Sequence, residues 1–240
     1  MTDRSLALVT GASSGIGFEL ARQFADHGFD LIVNAEDAGL SAAAQQLRGS
    51  GARVQEVQAD LRSPDGVRAV WAAVEATGRP LAVAALNAGV GQGGAFVDTD
   101  LADEQEIIDT NITSTVHLAK LVLRDMNGRG EGRVLFTSSI AALTGGITGP
   151  HYAASKAGLH GLTHFLASRV AASGVTVNAI APALIEETGM FPGDPKELIR
   201  KVPVGRLGTP RDVADLAVAV LRNGYLTNQV LSIDGGMHPR

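Results

Sequence analysis

The sequence predicts an α/β fold: a doubly wound, parallel sheet of about seven strands with helices on both faces. Short apolar runs alternate with amphipathic stretches along all 240 residues, as in a chain of repeated βα units. Aromatic residues make up only 4% of the chain, whereas glycine occurs 29 times, which suits helices packed closely on a buried sheet with many tight turns. No linker, repeat or low-complexity tract divides the chain, so we expect one domain over residues 1–240.

Strands and helices are predicted in alternation from the amino terminus. Short β-branched or apolar runs predict strands near Leu6–Val9, Asp30–Asn34, Arg53–Gln58, Leu81–Leu86, Arg133–Thr137, Val175–Ile180 and Val230–Ile233. The amphipathic stretches between them predict helices at Gly15–His27, Gly39–Arg48, Pro64–Thr77, around Leu101–Met126, around Tyr152–Ser173 and at Pro210–Leu221. The last helix has the clearest start, because Thr209 is a good N-cap and Pro210 fits a first position that needs no N–H donor.

The segment from Ala181 to Pro210 is rich in proline and glycine, too rich for a regular crossover helix. Long irregular insertions in compact domains often cover ligand sites. We therefore expect a substrate lid around residues 183–209. The alternative is an ordered loop that only packs on the edge of the sheet.

Composition argues against several classes of protein. The chain contains no cysteine, so it can form no disulfide, cysteine-ligated metal centre or thiol nucleophile, and a reducing, cytoplasmic location is expected. With 20 basic against 25 acidic residues and no basic run, no nucleic acid partner is expected. No apolar stretch approaches the roughly 20 residues of a membrane helix, and the first residues do not resemble a signal peptide. The segment between His160 and His164 lacks the glutamate of a metalloprotease pattern, so no metal site is predicted.

A glycine-rich turn follows the first strand and opens the first helix, which is the position of a phosphate-binding turn. Gly11 permits a tight turn, Gly15 lets the backbone approach a pyrophosphate, and Gly17 lets the helix lie close to the strand. Other candidate cofactor contacts in this turn are Ser13, Ser14 and Ile16. The free N–H groups and partial positive charge of a helix N-terminus favour an anion. Glycine trios also occur in ordinary turns, so this motif needs support from elsewhere.

Polar residues follow two further strands at the same edge of the predicted sheet. Asn87, Ala88 and Gly89 close the fourth strand, and Asp60 and Leu61 close the third. Ligands of doubly wound sheets bind outside the carboxyl ends of the strands. These residues are therefore candidate cofactor contacts, with the third-strand pair placed where an adenine could rest, although each group could also be a simple turn.

Tyr152 and Lys156 stand four residues apart and so share one face of a helix. Free tyrosine titrates near a pKa of about 10, but a neighbouring ammonium favours its ionised form. The pair could exchange a proton with a carbonyl or alcohol while a cofactor carries the hydride. Ser139, with Ser138 as its competitor, lies just past the fifth strand and could stabilise charge on the same oxygen. Asn111, a poor helix former inside the predicted fourth helix, could use its side-chain amide in a path from lysine to water.

In order and spacing, these motifs resemble the short-chain dehydrogenase/reductase family, over nearly the whole chain to Ile233–Gly236. The resemblance implies a Rossmann-type subunit that binds NAD(P) and assembles into homodimers or homotetramers. It implies that Tyr152 is the acid/base and that Lys156 lowers its pKa and binds the nicotinamide ribose. It also implies that Ser139 holds the substrate and that Asn111 holds a relay water. Further cofactor contacts that it implies are Pro182, Ile185 and Thr188.

Three departures from the family pattern bear on the site. Pro182–Ala183 replaces the usual Pro-Gly, and Ile185–Thr188 is one residue longer than the common Ile-x-Thr. These two changes put the lid geometry and the Thr188 contact in question. Asn228 stands in a turn that frequently carries glycine, and we expect the turn to survive because asparagine tolerates left-handed backbone.

The end of the second strand favours NAD(H) slightly over NADP(H). In the family this junction meets the adenosine ribose, where an acid favours NAD and a base favours NADP. Glu36 stands where NADP-using members commonly carry arginine, and Ser14 where others carry a second cation. Ala35 stands where NAD enzymes usually carry aspartate. With no cation expected near Glu36, a 2′-phosphate should bind poorly there.

The function that the resemblance implies is interconversion of a carbonyl and a secondary alcohol on a small molecule. The 3-oxoacyl-[acyl-carrier-protein] reductases and the sugar or steroid alcohol dehydrogenases share all of these motifs, so the substrate stays open. The alternative is a dinucleotide-binding regulator without turnover, which would need none of the four catalytic residues. Apolar residues that could form a substrate wall are Leu143, Ile147, Leu184, Ile185, Met190, Phe191 and Leu198.

Overall fold

The computed structural model describes residues 4–93, 96–188 and 195–238. Its seven-stranded sheet, in which every pair of neighbouring strands is parallel, confirms the predicted fold class. The strands are β1 (Ser5–Thr10), β2 (Phe29–Ala35), β3 (Val54–Gln58), β4 (Leu81–Leu86), β5 (Gly132–Thr137), β6 (Val175–Pro182) and β7 (Val230–Ile233). They lie in the order β3-β2-β1-β4-β5-β6-β7. The order reverses between β1 and β4, and a doubly wound sheet binds its ligand at such a switch point.

Helices cover both faces of the sheet. They are α1 (Gly15–Asp26), α2 (Gly39–Arg48), α3 (Pro64–Ala76), α4 (Leu101–Ile108), α5 (Ser114–Arg129), α6 (Ala141–Thr144), α7 (Pro150–Val170), α8 (Pro195–Ile199) and α9 (Pro210–Arg222). In the described ranges, no helix is both long and apolar enough to cross a membrane. α9 starts where its cap predicts, because Thr209 accepts from the Asp212 N–H at 3.1 Å and Asp212 accepts from the Thr209 N–H at 2.8 Å.

Alternate residues of β1, an interior strand, face opposite layers, so the sheet is buried on both sides. Ala7 and Val9 of β1 pack into the layer that contains α1, α2 and α9, whereas Leu6 and Leu8 pack into the layer that contains α3, α5 and α7. All four side chains are buried. Two-sided burial produces continuous apolar runs rather than polar alternation, which explains why the strands were recognisable in the sequence.

The predicted fourth helix is interrupted by a change of helix type. A π-helical turn, Asp109–Thr113, separates α4 from α5, and α5 ends at Arg129 rather than Met126. Apolar periodicity did not predict this turn, because its form depends on what Asn111 contacts in the folded chain. Such turns frequently occur at functional sites, and this one carries the buried Asn111.

Two short helices and one helix start also differ from prediction. α6 and α8 span only four and five residues, too few for a periodic signal. α7 begins at Pro150, two residues before the predicted start at Tyr152, because proline fits a first helical turn.

The segment predicted as a lid carries a small apolar core of its own. Its buried residues are Leu198, Val202 and Leu207, against which Leu184, Ile199 and Met237 pack. The Ala183 N–H donates to the Ile233 carbonyl at 3.1 Å, so the segment is also tied to β7. These contacts fit the alternative of an ordered loop on the sheet edge, and a covering role for the segment stays a prediction.

A buried carboxylate ties the amino ends of the strands together. Asp30 is 1% exposed and accepts from Arg53 at 2.7 Å and from Arg79 at 2.8 Å, while Arg4 lies at 3.5 Å. Burial raises the pKa of the Asp30 carboxyl, but the hydrogen bonds from Arg53 and Arg79 outweigh burial and hold the pKa below its usual value. The cluster lies away from the carboxyl ends of the strands, so its role is stability rather than ligand binding.

Candidate active site

One cavity of about 490 Å³ runs along the carboxyl ends of the strands. Ser139 lines it, whereas Asn111 does not. The volume is in the usual range for small-molecule sites, about 300–1,000 Å³. The wall contains every residue predicted to contact a cofactor: Gly11, Ser13, Ser14, Gly15, Ile16, Gly17, Ala35, Glu36, Asp60, Leu61, Asn87, Ala88, Gly89, Tyr152, Lys156, Pro182, Ile185 and Thr188.

The glycine-rich turn has the backbone conformation that was predicted for it. Gly11 and Gly15 have φ values of +66° and +53°, which favour glycine over other residues. A Cβ at Gly17 would stand 1.9 Å from the Gly11 carbonyl oxygen. Only glycine at position 17 therefore lets α1 lie this close to the end of β1.

The first turn of α1 leaves its backbone donors available for an anion. Ser14 is the N-cap, but its side chain makes no capping hydrogen bond, and the first turn carries no acidic residue. The Ser13 hydroxyl donates to Asp37 at 2.7 Å instead. Uncapped N–H groups and the helix dipole together favour a phosphate. The residues present therefore fit the pyrophosphate of a dinucleotide.

Asn87, Ala88 and Gly89 set the geometry at the switch point. The Thr10 hydroxyl accepts from the N–H groups of Asn87 and Ala88, each at 3.0 Å, which holds the ends of β1 and β4 together. A Cβ at Gly89 would lie 2.8 Å from Lys156 Nζ and 3.1 Å from the side-chain oxygen of the π turn's asparagine. A side chain at position 89 would therefore displace the end of the lysine side chain.

At one end of the cavity, the wall residues Glu36 and Asp60 contact Arg62, and no motif around Arg62 indicated these ion pairs. The Arg62 guanidinium contacts Asp60 at 2.9 Å, Glu36 at 3.1 Å and Glu106 at 2.5 Å. The hydrogen bond from Arg62 lowers the pKa of Asp60. The expectation that no cation lies near Glu36 is therefore wrong, because Arg62 reaches it from the turn after β3. The group remains negative overall, since three carboxylates surround one guanidinium.

Tyr152, Lys156 and Ser139 meet at the other end of the cavity. Tyr152 and Lys156 are 8% and 3% exposed, and the Lys156 amine lies 5.7 Å from the centre of the Tyr152 ring. Lys156 Nζ donates to the Thr137 carbonyl at 2.9 Å. The spacing of four residues on α7 thus brings a phenol and an amine to one side of the helix, as predicted.

Burial shifts the pKa of both titrating groups. It raises the pKa of the Tyr152 phenol, and a hydrogen bond from the Ser139 hydroxyl offsets only part of the rise. It lowers the pKa of Lys156 from 10.5 to about 8. The predicted depression of the tyrosine pKa by the lysine is not found in the chain alone, because loss of solvation for the phenolate dominates.

The two adjacent serines after β5 have different partners. Ser139 hydrogen-bonds the phenol of Tyr152. Ser138 donates to the Lys156 carbonyl at 3.0 Å and bonds His160 Nε2 at 2.8 Å. The structure therefore brings Ser139, and not its competitor, to the phenol.

Asn111 clamps the π turn to the loop after β4. Its amide nitrogen donates to the Val90 carbonyl and to the Ser155 hydroxyl, both at 2.9 Å. Its Oδ1 accepts from the Val90 N–H at 2.8 Å. The protein itself uses both amide donors, so Oδ1 is the side-chain atom with capacity left for a water.

The extra residue between Ile185 and Thr188 is accommodated at a left-handed backbone position. Glu187 has a φ of +61°, which is uncommon for a residue with a side chain. Thr188 then lines the cavity, and its Cα lies 3.6 Å from the position of a Cβ on Gly15. Asn228 has a φ of +64°, which confirms that asparagine takes the place of glycine in its turn.

The two histidines of α7 bind separate partners. His160 Nε2 bonds Ser138 Oγ at 2.8 Å, and His164 Nδ1 bonds Asn228 Oδ1 at 2.7 Å. Across the part of the chain that the structure describes, no three His, Asp or Glu side chains are grouped so that they could hold a metal ion. Each histidine thus joins α7 to a neighbouring loop.

The wall beside Tyr152 is mostly apolar. Of the wall residues predicted from the sequence, Leu143 does not line the cavity, and Met190 and Phe191 lie outside the described residues. The other four do line it: Ile147, Leu184, Ile185 and Leu198. No motif indicated the remaining residues of this wall, since they come from loops whose paths depend on packing; they include Thr144, Thr148, Lys201 and Met237.

The sequence pattern that defines the short chain dehydrogenase family matches residues 5–197. Over 238 residues the chain is 34% identical to the 3-oxoacyl-[acyl-carrier-protein] reductase of Chlamydia muridarum, with 96% of each chain covered. Among solved structures, a variant of actinorhodin polyketide ketoreductase with NADPH has a TM-score of 0.92 at 30% identity, over 99% of this chain and 98% of that one. Acetoin dehydrogenase of Salmonella typhimurium has a TM-score of 0.88 at 28% identity, over 98% and 97%.

Proposed function

Because the chain belongs to the short-chain dehydrogenase family, we propose that it interconverts a carbonyl and a secondary alcohol with Tyr152 as the acid and base. The chain is an NAD(P)-dependent short-chain dehydrogenase/reductase. The observation that carries the proposal is a buried Tyr152, Ser139 and Lys156 at one end of a cavity that also contains an uncapped helix N-terminus. A regulator without turnover would have no use for this cluster.

Tyr152 gives its proton to the carbonyl oxygen in reduction and takes the proton from the hydroxyl in oxidation. When bound, the nicotinamide supplies or accepts the hydride at the reacting carbon, so one hydride and one proton convert the carbonyl into the alcohol. The Ser139 hydroxyl donates to the same oxygen and stabilises the negative charge that develops there. Because burial raises the pKa of Tyr152, the phenol is protonated at neutral pH and able to act as an acid.

Lys156 returns the proton to Tyr152 and binds the nicotinamide ribose. Its pKa of about 8 lies close to neutral, so the amine can lose and regain a proton during turnover. Asn111 holds the relay water on Oδ1, the atom that lies beside Lys156 Nζ across Gly89. The residues of the cavity wall that were predicted to contact the cofactor bind the rest of it.

Tyr152→Phe tests the proposal directly, because it removes the proton donor and keeps the ring. Turnover should fall by about 10²–10⁴-fold, while the dissociation constant of the coenzyme stays nearly unchanged. Lys156→Ala should weaken both turnover and coenzyme binding. Ser139→Ala and Ser138→Ala form a matched pair, in which the first should lower turnover more than the second. A Tyr152→Phe enzyme with near wild-type turnover would overturn the assignment.

The wall beside Tyr152 supports a substrate with an apolar body. A mostly apolar wall favours a 3-oxoacyl thioester or a steroid over a sugar. A screen of acyl thioesters, steroids and sugars, read by nicotinamide absorbance, distinguishes these classes. If the coenzyme binds and no ketone or alcohol is converted, the alternative of a dinucleotide-binding regulator without turnover is correct.

Glu36 favours NAD(H) over NADP(H) through the charge around it. A 2′-phosphate would enter a group in which Glu36, Asp60 and Glu106 surround Arg62, and like charges disfavour it. The NADPH of the ketoreductase neighbour does not support this preference, so coenzyme kinetics must test it. At equal concentrations NAD(H) should be used faster, and Glu36→Gln should narrow the difference by freeing the guanidinium for a phosphate. A wild-type preference for NADP(H) would overturn the assignment.

The enzyme acts as a homodimer or homotetramer in the cytoplasm, with the tetramer favoured. Val116 on α5 and Phe165 on α7 are 44% and 55% exposed, and large exposed apolar side chains often mark contacts between subunits. The absence of cysteine fits a reducing compartment. Light scattering of the purified protein tests the assembly, and a monomeric mass at micromolar concentration would overturn it.

A further inference from the structure

We propose that Lys201 selects substrates that carry an anionic group, an inference that rests on the carbonyl/alcohol chemistry proposed above. Lys201 follows α8 and lines the same cavity as Tyr152. The rest of the wall near the lid is apolar or carries hydroxyl groups: Thr144, Ile147, Thr148, Leu184, Leu198 and Met237. The chemistry that fits is a carbonyl compound with an apolar body and a carboxylate at a distance from the reacting carbon.

The charges of the cavity wall are separated across the sheet. Its carboxylates, Glu36, Asp37 and Asp60, follow β2 and β3, whereas Lys201 stands in the segment between β6 and β7. β2 and β3 form one edge of the sheet, and β6 and β7 form the other. An anion beside Lys201 is therefore attracted by a cation and is remote from these carboxylates.

The Lys201 ammonium is available for a ligand. Within the described residues, no hydrogen bond or ion pair engages it. The other lysine of the described wall, Lys156, is buried and donates to the Thr137 carbonyl. A substrate anion can therefore pair with Lys201 without displacing a partner that belongs to the described residues.

The backbone that carries Lys201 is held in place. The Lys201 N–H donates to the Leu198 carbonyl and the Val202 N–H to the Ile199 carbonyl, both at 3.0 Å. Leu198 and Val202, on either side of the lysine, are buried in the small core of the lid segment. A cation on a fixed support loses less freedom when it binds than one on a mobile loop.

Arg200 provides a matched control for the charge. It precedes Lys201, is exposed, and does not line the cavity. General attraction of anions to this part of the surface would depend on both cations. Binding of a substrate anion inside the cavity depends on Lys201 alone.

The experiment compares acids with their methyl esters as substrates. The probes are 4-oxocyclohexanecarboxylate and a series of open-chain methyl-ketone acids of increasing length, each beside its ester. For the best acid, kcat/KM should exceed that of the ester by about threefold, as expected for an ion pair with an exposed lysine. In Lys201→Met this ratio should fall to about one, mainly through KM, whereas Arg200→Met keeps the wild-type ratio. Added salt should lower the wild-type ratio.

Two results overturn the proposal while leaving the chemistry intact: esters and acids that react equally well in the wild type, or a ratio that Lys201→Met leaves unchanged. Absence of turnover for acids and esters alike would instead overturn the proposed function and this inference together. If Lys201→Met folds poorly, Lys201→Gln replaces it. The salt dependence of the wild-type ratio needs no variant at all.

Discussion

Replacing Lys156 with methionine should stabilise the chain while it lowers activity. Burial lowers the pKa of the amine from 10.5 to about 8, which at about 1.4 kcal/mol per pH unit makes the charged amine cost the folded state about 3 kcal/mol near pH 7. Methionine has a similar length and no charge. Loss of the 2.9 Å hydrogen bond to the Thr137 carbonyl offsets about 1–2 kcal/mol of the gain. The expected net gain is about 1–2 kcal/mol.

The gain from Lys156→Met should depend on pH in one direction. The unfolded chain keeps the ordinary lysine pKa of 10.5, whereas the folded chain has a pKa of about 8. Below the folded pKa both states carry the charge, and the cost of burying it is fully present. Between the two pKa values the folded state has lost its proton and the unfolded state has not, so wild-type stability rises with pH. The advantage of the variant should therefore shrink over this window.

Urea denaturation of the coenzyme-free protein, followed by circular dichroism from neutral pH to about pH 10, measures both effects. Lys120→Met on α5 is the matched control, because Lys120 is exposed and its replacement should change stability by no more than about 0.5 kcal/mol. The reasoning is refuted if Lys156→Met is less stable than wild type at neutral pH and the difference is the same at every pH. In that case the folded chain solvates or pairs the amine.

Three further substitutions test other parts of the structure. Gly89→Ala places a methyl group 2.8 Å from Lys156 Nζ, and the resulting shift of the amine should lower kcat about tenfold in steady-state assays, while the melting temperature stays nearly constant. Asp30→Asn should cost about 2–3 kcal/mol at neutral pH, because it leaves the surrounding guanidinium groups unpaired. Burial raises the pKa of Asp30, but hydrogen bonds from those groups hold it below 3.8. In denaturation experiments, the difference in stability between wild type and Asp30→Asn should therefore shrink as the pH falls below the pKa of Asp30. Thr209→Ala breaks the reciprocal cap with Asp212 and should cost about 1 kcal/mol in the same assay, most of which Thr209→Ser restores. Unchanged stability in either of the last two would contradict the contacts assigned to them.

Features that act over a few neighbouring residues were predictable from the chain. Continuous apolar runs marked the strands because both faces of the sheet are buried, and the cap at Thr209 marked the start of α9. The 3.6-residue repeat of a helix predicted that Tyr152 lies beside Lys156. Glycine adopts backbone conformations that other residues disfavour, and this property predicted the tight turn at Gly11. Asparagine tolerates left-handed backbone, and Asn228 has a φ of +64° as expected.

Contacts between residues distant in sequence were decided by the fold. Arg62 joins carboxylates from the loops after β2 and β3 and from α4. The π turn forms where Asn111 meets Val90, and Lys201 enters the cavity wall from the lid segment. The propensities of the residues and the spacing of apolar residues predict each helix or strand separately. Contacts between side chains of different helices, strands and loops depend instead on packing and hydrogen bonds that form only once the sheet has assembled. No local sequence pattern therefore predicts these contacts.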